Sequence, residues 1–84
     1  MNRDLKKHGM EMKEKIYQFI VDYIMENGFA PSIREMAQAV NISVGRVAQH
    51  LMKLEIEGRI KVKENSPRAI KVIGYEFVKM EEIK

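Results

Sequence analysis

Arg46, Gln49 and Lys53 are the side chains whose types and spacing point most directly to chemistry. In a helix starting after Ser43, at about 100° per residue, they and Gly45 fall away from the side that gathers Val44, Val47, Ala48, Leu51 and Leu54. Arg and Gln have the donor and acceptor geometry that fits guanine and adenine edges in the major groove of duplex DNA. A glycine among them allows close approach, and a lysine supplies positive charge for phosphates. The competing reading is a solvated helix face with no partner. Other chemistries have less behind them: the chain has no Cys, hence no thiolate nucleophile, disulfide or zinc–thiolate site. His8 and His50 belong to no His/Asp/Glu cluster with metal-ligand spacing, and no glycine-rich loop precedes a helix. An enzyme is therefore the least favoured class, and no catalytic, metal or cofactor residue is assigned. His8 reads as an exposed side chain without a role. His50, at the border of the apolar stripe, reads as partly buried and hydrogen-bonded.

The elements that must hold those side chains are legible around them. Ser32 follows Pro31 and precedes Glu35 by three residues, the capping-box spacing in which each side chain satisfies the other residue's free backbone N–H. Ile33, Met36, Ala37 and Val40 then recur at helical spacing, and Asn41 tolerates the left-handed conformation at a helix stop. Ser43 can cap a second helix at once, because its hydroxyl can accept from an amide of the first turn. Two short helices joined by a tight turn make a helix-turn-helix.

Upstream, residues 1–9 show no useful periodicity and read as a flexible arm. From Met10 to Asn27 runs a longer helix with Ile16, Phe19, Ile20, Tyr23 and Ile24 as its core face, Tyr17 and Val21 beside it, and Lys13, Glu14, Asp22 and Glu26 left for solvent. Gly28, followed by Phe29, Ala30 and Pro31, ends that helix. Downstream, the second short helix runs to about Glu57 and stops at Gly58. Ile60 and Val62 alternate with Arg59, Lys61 and Lys63, and Ile70 and Val72 flank Lys71, which gives two short strands around a turn-rich Glu64-Asn65-Ser66-Pro67-Arg68. A hairpin directly behind a helix-turn-helix is a wing. Its basic outward residues Lys61, Lys63, Arg68 and Lys71 suit phosphate or minor-groove contact, and they equally suit protection of an edge strand. Residues 74–84 place Tyr75, Phe77, Val78, Met80 and Ile83 among charges, a tail expected either to pack on the first long helix or to contact a second copy.

A chain of 84 residues makes one small domain, with roughly 60–65% of its unfolded surface buried on folding. Stability is therefore modest or helped by dimerisation. No apolar run approaches the roughly 18 residues that span a bilayer, and the first residues lack the apolar stretch of a signal peptide. The expectation is a soluble cytoplasmic protein with no membrane partner and no evident small-molecule ligand. Charge is uneven along the chain: net 0 over residues 1–42, +4 over 43–73 and −1 over 74–84. The excess lies on the second short helix and the wing, where a surface meeting phosphates would need it.

Three stretches resemble one family. GFAPSIREMAQAV is similar to the Gly-aromatic-Pro-Pro-Ser/Thr-x-Arg-Glu-Ile-Ala segment in the N-terminal DNA-binding domain of the LexA repressors, with Ala30 where proline is usual. HLMKLEIEGRIK resembles that domain's His-Leu-x-x-Leu-x-x-x-Gly-x-Ile helix end and strand start, and SPRAIKV its Pro-Arg-Ala-Ile strand after the wing. The resemblance covers roughly residues 12–73. It implies a winged helix-turn-helix on operator DNA, with Ser43, Gly45, Arg46, Ala48 and Gln49 as the reading face, and with the first turn after Ser32 and the wing on the backbone. The turn before the reading helix is one residue shorter here, and the family's paired glutamates near Ala48 and Gln49 are missing, so a different operator is implied. LexA proteins continue into a Ser/Lys peptidase domain that also dimerises. The tail after Gly74 does not resemble that continuation, and induction by self-cleavage is not carried over.

The expectation is thus a mainly α fold with a small β-hairpin: a winged helix-turn-helix of three helices plus wing, occupying residues 10–73. Its function is that of a transcriptional regulator, a repressor, binding specific duplex DNA. Ser43, Gly45, Arg46, Ala48, Gln49 and Lys53 read from the recognition helix. Ser32, Arg34, Lys61, Lys63, Asn65, Ser66 and Arg68 contact DNA from the start of the preceding helix and from the wing. The alternative is a winged-helix protein–protein interaction module without DNA readout, in which the face bearing Arg46 and Lys53 is neutral or covered. A homodimer through the tail is the expected assembly.

Overall fold

The computed structural model describes residues 2–63 and 70–74, with side chains from residue 9 onward. Its elements are α1 (Asn2–Asn27), α2 (Ile33–Val40), α3 (Val44–Ile56), β1 (Ile60–Val62) and β2 (Ile70–Val72). Helix α1 starts at Asn2, not at Met10, so residues 2–9 are helical where the sequence reading set them apart as an arm. Arg3, Leu5, Lys6 and Lys7 in that stretch are strong helix formers, and the roughly 1 kcal/mol that Gly9 costs against alanine does not interrupt them.

The core forms where the three helices and the hairpin meet. Ile16 and Ile20 of α1, Met36 of α2, and Val47 and Leu54 of α3 are wholly buried, and Val21, Ala37, Leu51, Ile60 and Val72 close around them. The buried face of α1 is turned slightly from the expected one. Val21 is in the core, whereas Phe19, Tyr23 and Ile24 are half-buried at its flank. There the rings of Phe19 and Tyr23 lie 5.7 Å apart and those of Tyr23 and Phe29 5.9 Å apart, edge-tilted arrangements favourable to aromatic pairs. Gly28 ends α1 at φ 82°, a left-handed value that glycine adopts without a Cβ clash. Ala30 and Pro31 after it are buried against the core.

Helix α2 has only 8 residues, fewer than the roughly 12–15 an isolated helix needs in water. Its ends and its neighbours hold it. The Ser32 N–H donates to Glu35 Oε1 at 2.7 Å, and the Glu35 N–H donates back to Ser32 Oγ at 3.1 Å. The other carboxylate oxygen, Glu35 Oε2, accepts from the Tyr23 hydroxyl at 3.0 Å, so the cap is also fastened to α1. At the far end Asn41 takes φ 57° and ψ 50° and its N–H bonds to Ala37 O, the left-handed stop the sequence suggested.

Ser43 caps α3, its Oγ accepting from the Arg46 N–H at 3.2 Å. The helix closes with two back-bonds around left-handed Gly58: Gly58 N–H to Glu55 O at 2.9 Å and Arg59 N–H to Leu54 O at 3.0 Å. The chain then enters β1, which pairs antiparallel with β2 in the register Ile60 with Val72, Lys61 with Lys71 and Val62 with Ile70. Ile60 and Val72 point into the core while Lys61 and Lys71 stand exposed on the other face. The Val62 N–H donates to Glu55 Oε2 at 3.2 Å, tying the hairpin to α3. The expected turn residues Asn65, Ser66 and Arg68, and the tail from residue 75, lie outside the described residues.

Candidate nucleic-acid interface

The solvent side of α3 brings the expected reading residues together. Ser43, Gly45, Arg46, Gln49 and Lys53 are exposed, and Ala48 is half-buried at the edge of the same surface. They share it because Val47, His50, Leu51 and Leu54 fix the opposite side of the helix in the core. A Cβ added at Gly45 would meet nothing within 4 Å, so the helix start presents bare backbone to an approaching partner. Arg34 is exposed in the first turn of α2, and Ser32 is half-buried with its hydroxyl engaged as the cap acceptor. That hydroxyl keeps its own proton to donate. Lys61 and Lys63 are exposed on and after β1, joined by Lys71 from β2.

Val44 departs from its expected place. The helical period assigns it to the apolar stripe with Val47 and Leu51, yet it is 44% exposed. It sits on the first turn of α3, beyond the end of the core that covers the later turns. Met52 and Ile56 are more exposed still. With Ala48 these residues recur at i, i+4, i+8 and i+12, an apolar line beside the polar set of Arg46, Gln49 and Lys53.

The charges of the region divide into two groups. Arg59 turns away from the wing face and grips Glu14 with both guanidinium nitrogens, at 2.5 and 2.8 Å, while reaching Glu57 at 3.3 Å. Its plane also lies 4.0 Å above the ring of Tyr17. Lys13 pairs with Glu57. Lys13 and Glu14 are thus not left to water, as the sequence reading had them; they fasten α1 to the α3–β1 corner. The hydrogen bonds from Arg59 hold the Glu14 carboxyl below the usual carboxylate range, those from Lys13 and then Arg59 do the same for Glu57, and Glu14 strengthens the hold of Arg59 on its proton. By contrast, Arg46, Lys53, Lys61, Lys63 and Lys71 take part in no ion pair among the described residues. Lys61 and Lys71 face each other directly across the hairpin, a like-charge pair that is unfavourable until an anion approaches.

His50 is buried, with 8% exposure. Its Nδ1 has no hydrogen-bond partner among the described residues, so the hydrogen-bonded histidine expected from the sequence is not found at that atom. Burial, and after it Lys53 and Arg46 on its own helix and Lys13 on α1, push its pKa below the ordinary 6.5. The described residues contain no group of three or more His, Asp or Glu arranged to hold a metal ion, and no helix long and apolar enough to cross a membrane.

The comparisons with known proteins agree with this geometry. A family model described as the LexA DNA binding domain matches residues 7–69. Among similar curated proteins, a LexA repressor of Clostridium tetani is 40% identical over 70 residues, covering 82% of this chain and 35% of the relative. A LexA repressor of Caldicellulosiruptor saccharolyticus is 35% identical over 74 residues, 87% of this chain and 37% of the relative. One of Thermotoga petrophila is 39% identical over 62 residues, 74% of this chain and 32% of the relative. The chain thus spans about a third of the length of the relatives it matches.

Proposed function

The chain belongs to the LexA DNA-binding domain family, and from that premise we propose that it is a sequence-specific duplex-DNA-binding regulator of transcription, acting as a repressor. Helix α3 enters the major groove with its first turns against base edges, as second helices of helix-turn-helix proteins do. Arg46 and Gln49 read purine edges, with Ser43, Gly45 and Ala48 at the contact surface and Lys53 near its rim. Ser32 and Arg34 from the start of α2 meet the phosphate backbone, and Lys61 and Lys63, with Asn65, Ser66 and Arg68 of the turn, meet the backbone or the minor groove.

The observation that carries this reading is the separation of charge. Lys13 of α1 and Arg59 at the corner are matched internally by Glu14 and Glu57. Of the exposed cations without an ion pair among the described residues, Arg46, Lys53, Lys61, Lys63 and Lys71 stand on α3 and the hairpin and Arg34 on α2, with Lys15 of α1 apart from them. An interaction module without DNA readout would not need an exposed, uncompensated basic surface there.

One copy offers few base contacts, so the proposal extends to a symmetric pair of chains with two α3 helices in successive major grooves, about 34 Å apart. The tail from residue 75 supplies the contact between copies, and the cytoplasm is the location. The test is selection of bound fragments from random duplex DNA at stated salt, followed by anisotropy titration of the selected sequence. A repeated half-site bound by two chains is the expected result. Recovery of no preferred sequence would overturn the readout, and full-affinity binding of a single chain to one half-site would overturn the pairing.

A further inference from the structure

We propose that Val44 is a base-reading residue, and that its contact is the C5-methyl group of a thymine. The inference rests on the placement of α3 in the major groove given above. The exposed surface of α3 has two flanks separated by Gly45. Arg46, Gln49 and Lys53 make a polar flank at i, i+3 and i+7, and Val44 and Ala48 begin an apolar flank at i and i+4. Val44 is the outlying member: a β-branched side chain, 44% exposed, on the turn that leads into the groove.

The major-groove edges of the four base pairs carry hydrogen-bonding groups and one kind of apolar group, the thymine methyl. An apolar side chain held at the reading end of the helix therefore has a single complementary target on unmodified DNA. The local geometry favours the approach. Gly45, next in the chain, has open space where its Cβ would be, so nothing holds the first turn away from the base edges. The Ser43 hydroxyl on the other side is already committed to the Arg46 amide as an acceptor. The two flanks then read different things. Arg46 and Gln49 bond to purines, and Val44, with Ala48 a turn along, packs on a methyl group of a neighbouring base pair. The period alone conceals this role, because it assigns Val44 to the core.

The test uses the full chain and the duplex selected from random DNA. Each thymine is replaced in turn by deoxyuridine, which removes the methyl and keeps every hydrogen-bonding group, and affinity is read by anisotropy. At one thymine per half-site the loss is expected to be about fourfold, the value of one buried methyl. Val44→Ala should lose a similar factor on the unmodified duplex, lose less on random duplex, and be indifferent to deoxyuridine at that one position. The exposure of Val44 and the high helix propensity of alanine keep this variant folded, and its melting curve checks that. Indifference of the unsubstituted chain to every deoxyuridine would overturn the proposal while leaving sequence-specific binding intact. So would a Val44→Ala variant that keeps full methyl sensitivity. A chain that selects no sequence at all would overturn both this proposal and the reading beneath it.

Discussion

Glu35→Ala should be among the most damaging substitutions of a partly exposed residue in this protein. The side chain makes two bonds on two different elements, to the Ser32 N–H at 2.7 Å and from the Tyr23 hydroxyl at 3.0 Å. The first is half of the cap of α2, and loss of a cap costs about 1 kcal/mol. The second is a hydrogen bond to a carboxylate, which contributes about 1.5–3 kcal/mol; partial exposure puts it at the low end. Together they give a loss of roughly 2–3 kcal/mol, or about 10–20 °C in Tm for a domain of this size. The assay is thermal and urea unfolding followed by helical circular dichroism, on wild type, Glu35→Ala, Tyr23→Phe and the double variant. If the bond links the two helices, Tyr23→Phe costs about 1 kcal/mol or more in wild type and close to nothing once Glu35 is alanine. An equal cost of Tyr23→Phe in both backgrounds would refute the link. A Glu35→Ala variant melting within a few degrees of wild type would refute the whole account of how α2 is held.

Four smaller predictions test the interface and the charges. Arg46→Ala should lose about 1–3 kcal/mol on the selected sequence and much less on random duplex; equal losses would make it a phosphate contact. Lys63→Ala should weaken both alike and flatten the dependence of log affinity on log salt by about one, which titration at several salt concentrations measures. His50 favours the neutral form in the folded state, so the unfolded chain binds the extra proton. Stability should therefore fall as pH drops below 6.5, and His50→Gln should flatten that step in melts, leaving only the acid loss of Glu14 and Glu57, whose lowered pKa values place it below 4.5. Glu14→Gln should lower stability by roughly 0.5–1 kcal/mol at low salt and less at 1 M, where screening weakens exposed pairs; identical losses at both would deny an ionic origin.

Local rules explain what the sequence made visible. The capping box at Ser32 and Glu35, the left-handed stop at Asn41, the cap at Ser43, the glycine at 58 and the alternation of the hairpin each depend on residues a few positions apart. All of them are present in the structure. The features that escaped are set by distant partners. Nothing near Arg59 announces that it bonds to Glu14, 45 residues earlier, and not to an outside anion. Tyr23 reads as a core residue, and its hydroxyl reaching Glu35 depends on how α1 and α2 cross. Val44 follows the apolar period and is exposed because the first turn of α3 extends past what the core covers. For α1, propensity without apolar period carried the helix to Asn2. Among the proposed contacts, those on α3 were legible as a face, while Asn65, Ser66 and Arg68 lie outside the described residues.

The brevity of α2 bears on any attempt at transplantation. A peptide cut to the two short helices and their turn would leave behind Tyr23 and the α1 side chains around Met36 and Ala37, and so would lack what makes its first half helical. Grafting α3 onto another scaffold to borrow its exposed face thus means carrying α1 as well. In this chain the smallest unit that can present that face of α3 is close to the whole three-helix assembly.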